Sequence, residues 1–238
     1  MAGININVSG TWQTIKNVYV NISGSWTQVK QVWVNVSGTW QKVYNLFSPV
    51  THTYSSGSGT ETVPAGASQV VITMWGGGGS GAFKNAGAAG GGGGGGGGYT
   101  TQTISVSGIS SFSYSVGAGG AAVSTVRNGN AGGSSTVSGG SVSLTANGGG
   151  AGVATPPSGG AGGTTSGTGS GTTGSAGTAG SLNNGGNGGA SPNGGGTATY
   201  SGGSFDGNAP GGGGTGGNSN IDTLSGAGAA GQITFYYT

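Results

Sequence analysis

Residues 75–98 read WGGGGSGAFKNAGAAGGGGGGGGG, and the chain runs straight on into the strand-like YTTQTISVSG of residues 99–108. Nine consecutive glycines, Gly90–Gly98, decide what kind of protein this is. Glycine loses more backbone freedom on folding than any other residue and offers no side chain to a core, so neither an α-helix nor an ordinary strand forms there on its own account. A flexible linker has such a composition. The other solution is an extended glycine helix with three residues per turn and a rise of roughly 3.1 Å per residue, in which every N–H and C=O points outward. Side by side, such helices satisfy each other's backbone groups laterally, and glycine alone lets the backbones approach that closely.

The rest of the chain supplies neighbours for such a bundle. Glycine-rich segments recur at Gly117–Gly120, Gly148–Gly152, Gly159–Gly163, Gly185–Gly189, Gly194–Gly196, Gly211–Gly217 and Gly226–Gly231, separated by short polar or aromatic islands. A disordered Gly/Ser chain is usually charged and poor in aromatics. This one has 3% charged residues but five Trp, eight Tyr and five Phe among 238 residues. The expectation is therefore an essentially helix-free, all-β fold: a β-sandwich of jelly-roll type carrying a bundle of polyglycine-II helices.

Strand signals frame the bundle. Alternation and turn residues predict strands at 60–63, 69–75, 99–107, 111–116, 134–137, 141–145 and 232–238. Residues 1–48 form a separate unit, 49–59 read as a polar linker opened by Pro49, and 60–238 as the glycine-rich domain.

The first unit is an internal repeat. NVSGTWQTIKNVYV, NISGSWTQVKQVWV and NVSGTWQKVYNLFS align without a gap at a period of fourteen, from Asn7, Asn21 and Asn35. Each copy reads as a β-hairpin turning at Ser-Gly. A single hairpin is marginal in water, so three related ones either close a pseudo-threefold prism able to cap a trimer or extend a sheet as a duplicated hairpin. Trp12, Trp26 and Trp40 are assigned to the prism's core. Tyr19, Trp33 and Phe47 are assigned to the opposite face, as the attachment interface.

Charge and motif chemistry exclude much. The net charge is +2, and Lys16, Lys30, Lys42, Lys84 and Arg127 are dispersed, so no nucleic-acid partner is expected. Without cysteine there is neither a disulfide nor a thiolate metal site. No aliphatic run approaches a membrane span, and the N-terminus lacks a secretory signal pattern, which points to synthesis in a cytoplasm. Matches to GxGxxG arise by chance in so much glycine and lack the strand, helix and acidic residue of a dinucleotide site. His52 is alone, and Glu61, Asp206 and Asp222 are the only carboxylates. No enzyme activity, cofactor or metal is expected. The islands between glycine runs offer a recognition surface instead: Phe83, Lys84, Arg127, Pro156, Pro157, Leu182, Tyr200, Phe205 and Asp206. For Tyr200 and Phe205 the alternative role is that of small lids on the bundle.

Two stretches carry a family resemblance. VPAGASQVVITMWGGGGSG (63–81) and GAAGQITFYYT (228–238) resemble the glycine-rich domain of many bacteriophage tail proteins. The layout is also similar to the glycine-rich domain of anaplastic lymphoma kinase-type receptors. The triple hairpin followed by glycine runs resembles the adhesins that tip the long tail fibres of T-even-type phages. The resemblance implies an adhesin of the virion tail, held on a trimeric tail-fibre or tail-tip protein and binding a host cell-surface protein or glycan through its loops. A purely structural tail or baseplate component, or an ice-binding glycine-helix protein, is the alternative.

Overall fold

The computed structural model describes residues 5–15, 17–45, 47–85 and 89–238. Each copy of the repeat folds as its own two-stranded antiparallel sheet. β1 (Asn5–Val8) pairs with β2 (Thr11–Thr14), β3 (Tyr19–Ile22) with β4 (Ser25–Gln28), and β5 (Gln31–Val36) with β6 (Thr39–Asn45). The Ser-Gly turns have positive φ at both central residues, for example 52° at Ser23 and 89° at Gly24. That is the turn whose twist matches the flanking strands. The preceding asparagine locks it: the Gly24 N–H donates to Asn21 Oδ1 at 2.9 Å, and Gly10 and Gly38 do the same to Asn7 and Asn35.

The register corrects the expected faces. A two-residue turn sets Ile22 opposite Ser25, and therefore Trp26 opposite Asn21 and Gln28 opposite Tyr19. Directly paired residues share a face, and one step of register exchanges the faces. Trp26 thus lies with Tyr19, and Val20 and Ile22 lie on the other side. In the third hairpin Trp40 likewise shares a face with Trp33. The tryptophans do not form a core: Trp12, Trp26 and Trp40 are 71%, 72% and 65% exposed. Phe47, expected beside Tyr19 and Trp33, is half-buried and packs against the core of the following domain.

That domain is built on two five-stranded antiparallel sheets. Its elements are β7 (Val50–Tyr54), β8 (Ser58–Thr62), β9 (Gln69–Trp75), β10 (Phe83–Lys84), β11 (Tyr99–Ser105), β12 (Ser111–Ser115), β13 (Ser135–Gly139), β14 (Val142–Ala146), β15 (Val153–Ala154), β16 (Pro157–Ser158), β17 (Thr165–Gly167), β18 (Ser170–Thr172), β19 (Gly217–Asn218) and β20 (Gln232–Tyr237). One sheet has the order β18-β11-β9-β20-β7 and the other β17-β14-β13-β12-β8. Alternate residues of both meet in one core: Val70, Ile72, Met74, Ile233, Phe235 and Tyr237 from the first, and Phe112, Val137, Val142 and Leu144 from the second. No helix occurs among the described residues.

The expected linker at 49–59 contains a strand and the start of another. β7 pairs with β20 from Val50↔Tyr237 to Tyr54↔Ile233. Val50, His52 and Tyr54 alternate inward, a period-two signal hidden by the threonines and serines around them. β7 and β8 are edge strands of different sheets, as are β18 and β17 on the far side. Each consecutive pair therefore turns a corner of the sandwich.

Candidate functional site

The glycine-rich segments between Trp75 and Gln232 are organised on the buried run Gly90–Gly98. Its amides donate with a period of three. Gly90, Gly93 and Gly96 donate to Ser181, Thr178 and Ser175 carbonyls at 2.8, 3.0 and 2.9 Å. Gly91, Gly94 and Gly97 donate to Gly217, Gly214 and Gly211 at 3.1, 2.8 and 2.8 Å. Gly92, Gly95 and Gly98 donate to Val153, Gly150 and Asn147 at 3.1, 2.9 and 2.9 Å. Their carbonyls accept from three further segments, through Gly186 and Gly189, Gly160 and Gly163, and the series Ala82, Gly79 and Gly76. A three-residue repeat presents successive N–H groups about a third of a turn apart, so one segment bonds six neighbours. The run is a folded element and not a linker.

This lattice sorts the islands by position. At the Gly98 end the segments enter the sandwich through β9, ending at Trp75, and β11, starting at Tyr99. At the Gly90 end the chain reverses repeatedly, and the islands singled out in the sequence lie at these reversals or within a turn of them. β10 pairs in parallel with β19, bringing Phe83 and Lys84 beside Gly217 and Asn218. Phe83 also bridges Arg127, and Leu182 bridges Ala89. β15 and β16 form a small hairpin with Pro156 in its turn and Pro157 opening β16. The Tyr200 amide donates to Asn187 Oδ1 at 2.8 Å, and the Phe205 N–H donates to Thr215 Oγ1 at 2.7 Å while its carbonyl accepts from the Thr215 N–H at 3.0 Å. Residues as far apart in sequence as Phe83 and Asn218 thus share one end of the bundle.

A family model described as a glycine-rich domain matches residues 53–238. The chain belongs to the glycine-rich domain family. No curated protein shows significant similarity to the chain. The match begins inside β7, so the hairpin repeat lies outside it and the glycine-rich domain comprises the sandwich together with its bundle.

Within the end of the glycine-rich domain the side chains divide into contacts and braces. Leu182 is 67% and Phe205 48% exposed, and Arg127 and Pro156 are exposed as well, with Pro157 half-buried. Phe83, expected among the contacts, is 4% exposed. Its ring covers Gly217, where an added Cβ would come within 3.0 Å of the ring. It is a lid, as is half-buried Tyr200, whose ring sits on Gly185 in the same way. Lys84 braces: its Nζ donates to the Ala154 carbonyl at 2.8 Å and to Thr155 Oγ1 at 2.9 Å. Asp206 accepts from the Ala227 N–H at 2.7 Å. The sequence reading missed Val126, Ile221 and Leu224, which are 47%, 54% and 43% exposed. Ile221 and Leu224 were legible in principle as the apolar residues of the NSNIDTL island (218–224).

Two carboxylates are placed with care. Asp222 lies among these loops and accepts three bonds. Glu61, 2% exposed, lies between the sheets. Its Oε1 is 2.7 Å from His52 Nδ1, and Tyr54 donates to its Oε2 at 2.6 Å. His52 and Tyr54 belong to β7 and Glu61 to β8, so the cluster clasps one edge of the sandwich. The Tyr54 phenol is pushed far above its usual range, first by its bond to Glu61 and then by burial. Burial, with the Glu61 charge behind it, does the same to Tyr237. Among the described residues no three His, Asp or Glu side chains gather to hold a metal ion.

Proposed function

We propose that this protein is a non-enzymatic adhesin of a bacteriophage tail tip or tail fibre. In this reading the glycine segments are polyglycine-II helices forming a rigid bundle. Loops at the bundle's outer end bind the host cell surface, and the N-terminal hairpins attach to a trimeric tail component. The observation that carries it is the gathering of distant islands at the end of the bundle away from the sandwich. Loops on a rigid scaffold are where binding surfaces sit, and these loops carry exposed Leu182, Phe205, Ile221 and Leu224.

The hairpins support the other half. Both faces of each are apolar and exposed: Trp12, Tyr19, Trp26, Trp33 and Trp40 on one side, and Val8, Val20, Ile22, Val34 and Val36 on the other. Solvated hairpins do not need that. On assembly the Val/Ile faces close the threefold prism and the aromatic faces meet the trimer. The attachment surface is then Tyr19 and Trp33 together with the three repeat tryptophans, without Phe47.

The test is the double substitution Tyr19→Ser with Trp33→Ser. Aromatic anchors at interface centres are worth about 2 kcal/mol or more each, so incorporation of the chain into tails, counted by quantitative mass spectrometry, is expected to drop at least tenfold while the isolated protein melts unchanged. Normal incorporation would refute the attachment surface. Tails carrying Leu182→Ser with Phe205→Ser are expected to assemble but adsorb poorly to host cells. Normal adsorption would leave a purely structural tail component.

A further inference from the structure

Two loops meet on Asp222, through three donors. Tyr200 Oη donates to its Oδ2 at 2.9 Å, the Asn218 N–H donates to the same oxygen at 2.8 Å, and the Ser204 N–H donates to Oδ1 at 2.7 Å. Tyr200 and Ser204 belong to the loop that presents Phe205. Asn218 opens the loop that presents Ile221 and Leu224. The two loops are tied a second time by Ser204 Oγ donating to the Leu224 carbonyl at 2.7 Å. The second loop is tied to its other neighbours by Asn220 Nδ2 donating to Asn183 Oδ1 at 3.0 Å and the Ser219 N–H donating to the Lys84 carbonyl at 2.9 Å.

A carboxylate that accepts three good bonds has little capacity left for a ligand. Charge-assisted bonds of this kind are shorter and about twice as strong as neutral ones. The other side-chain tie between these two loops, Ser204 to Leu224, is a neutral bond. Glycine and serine loops have no core, and the apolar side chains here face solvent. Without a brace, each loop would have to be ordered at the moment of binding, which lowers affinity.

We infer that Asp222 is the positioning residue of the tip, holding the 199–206 and 218–224 loops in one arrangement so that Phe205, Ile221 and Leu224 present a single pre-formed apolar surface to the host ligand. The inference rests on the host-binding reading above. Tyr200 shares the role, since its hydroxyl is one of the three donors, and its phenol is pushed up to about 12 by burial and by that bond. Asp222 acts without touching the ligand.

Asp222→Asn replaces one acceptor oxygen by an NH2 group that faces a donor, which breaks at least one of the three bonds. Tails carrying this variant are expected to assemble with a melting temperature close to the parent's. Hydrogen exchange at the Ser204 and Asn218 amides should rise at least tenfold, exchange at Gly94 should stay unchanged, and adsorption to host cells should fall about tenfold. Because the carboxylate does not meet the ligand, the fold-loss should be the same at low and high salt, whereas a direct charge contact would be screened. Tyr200→Phe removes one donor and no more, and should give a smaller loss of the same pattern. It is the decisive variant should Asp222→Asn fail to assemble. Unchanged exchange, unchanged adsorption or a salt-dependent loss in the assembled variant each overturn the inference. The Leu182→Ser, Phe205→Ser control separates the two readings. If that control loses adsorption and the Asp222 variant does not, positioning alone fails. If both adsorb normally, host binding at this end fails.

Discussion

Replacing Gly94 by alanine puts one methyl group at the centre of the bundle. The position is surrounded by backbone on every side: Gly94 donates to Gly214 at 2.8 Å and accepts from Gly189 at 2.8 Å. A Cβ there would fall well within 3.0 Å of the Gly79 carbonyl oxygen. A flexible side chain could move aside, but Gly79 is itself fixed by its bond to Gly95 at 2.9 Å. Either the segments separate or the bonds break. Overpacking of this kind costs about 1–3 kcal/mol, and each buried backbone group left unpaired adds about 1–3 kcal/mol. The expected total is about 3 kcal/mol or more, which for a domain of this size lowers the melting temperature by roughly 6–12 °C. Gly196→Ala is the matched control, because a Cβ there meets nothing within 4 Å and φ is not in the left-handed range. It should be neutral or slightly stabilising, since alanine narrows the unfolded ensemble by about 0.4–1 kcal/mol. Differential scanning calorimetry of the two variants decides the matter. Equal melting temperatures would refute the reasoning and return the nine glycines to the status of a linker.

Two further outcomes are expected from the same structure. Glu61→Ala strands the Tyr54 hydroxyl and His52 at the sandwich edge and should cost about 3 kcal/mol in urea unfolding; a loss below about 1 kcal/mol would mean the clasp is ornamental. Alkali should also unfold the protein by a defined route. The phenols of Tyr54, Tyr200 and Tyr237 are all raised above the ordinary value of 10.0, so the folded state favours their protonated form. Their contribution is fully present below about pH 10 and is lost as pH rises toward and beyond about 12. A tyrosinate absorbance titration should show three phenols ionising late, together with the loss of β-sheet circular dichroism; ionisation of all eight near pH 10 with the fold intact would contradict this.

Local chemistry made much of this molecule legible. The Ser-Gly turns needed only positive φ and a capping asparagine, both properties of three adjacent residues. The strand Gln69–Trp75 and the closing strand Gln232–Tyr237 announced themselves by alternation, because one of their faces is buried and the other is not. The glycine run could be read as an element because the aromatic residues and scarce charge of the chain around it spoke against a disordered linker.

What lay beyond the sequence was everything set by pairing between distant segments. A single step of hairpin register put the tryptophans with Tyr19 and Trp33 instead of with the valines, and register is a property of two strands, not one. β7 looked like a linker because its burial comes from β20, which lies nearly the whole chain away. In the sequence Asp222 is one of only three carboxylates, and nothing near it shows that Tyr200, Ser204 and Asn218 close on its two oxygens. Which islands share an end of the bundle depends on how far each glycine segment runs before it reverses. That length is fixed only by the carbonyls of its neighbours. Composition determined that glycine backbones would pack against each other, and the tertiary hydrogen-bond register decided which side chains that packing brings together.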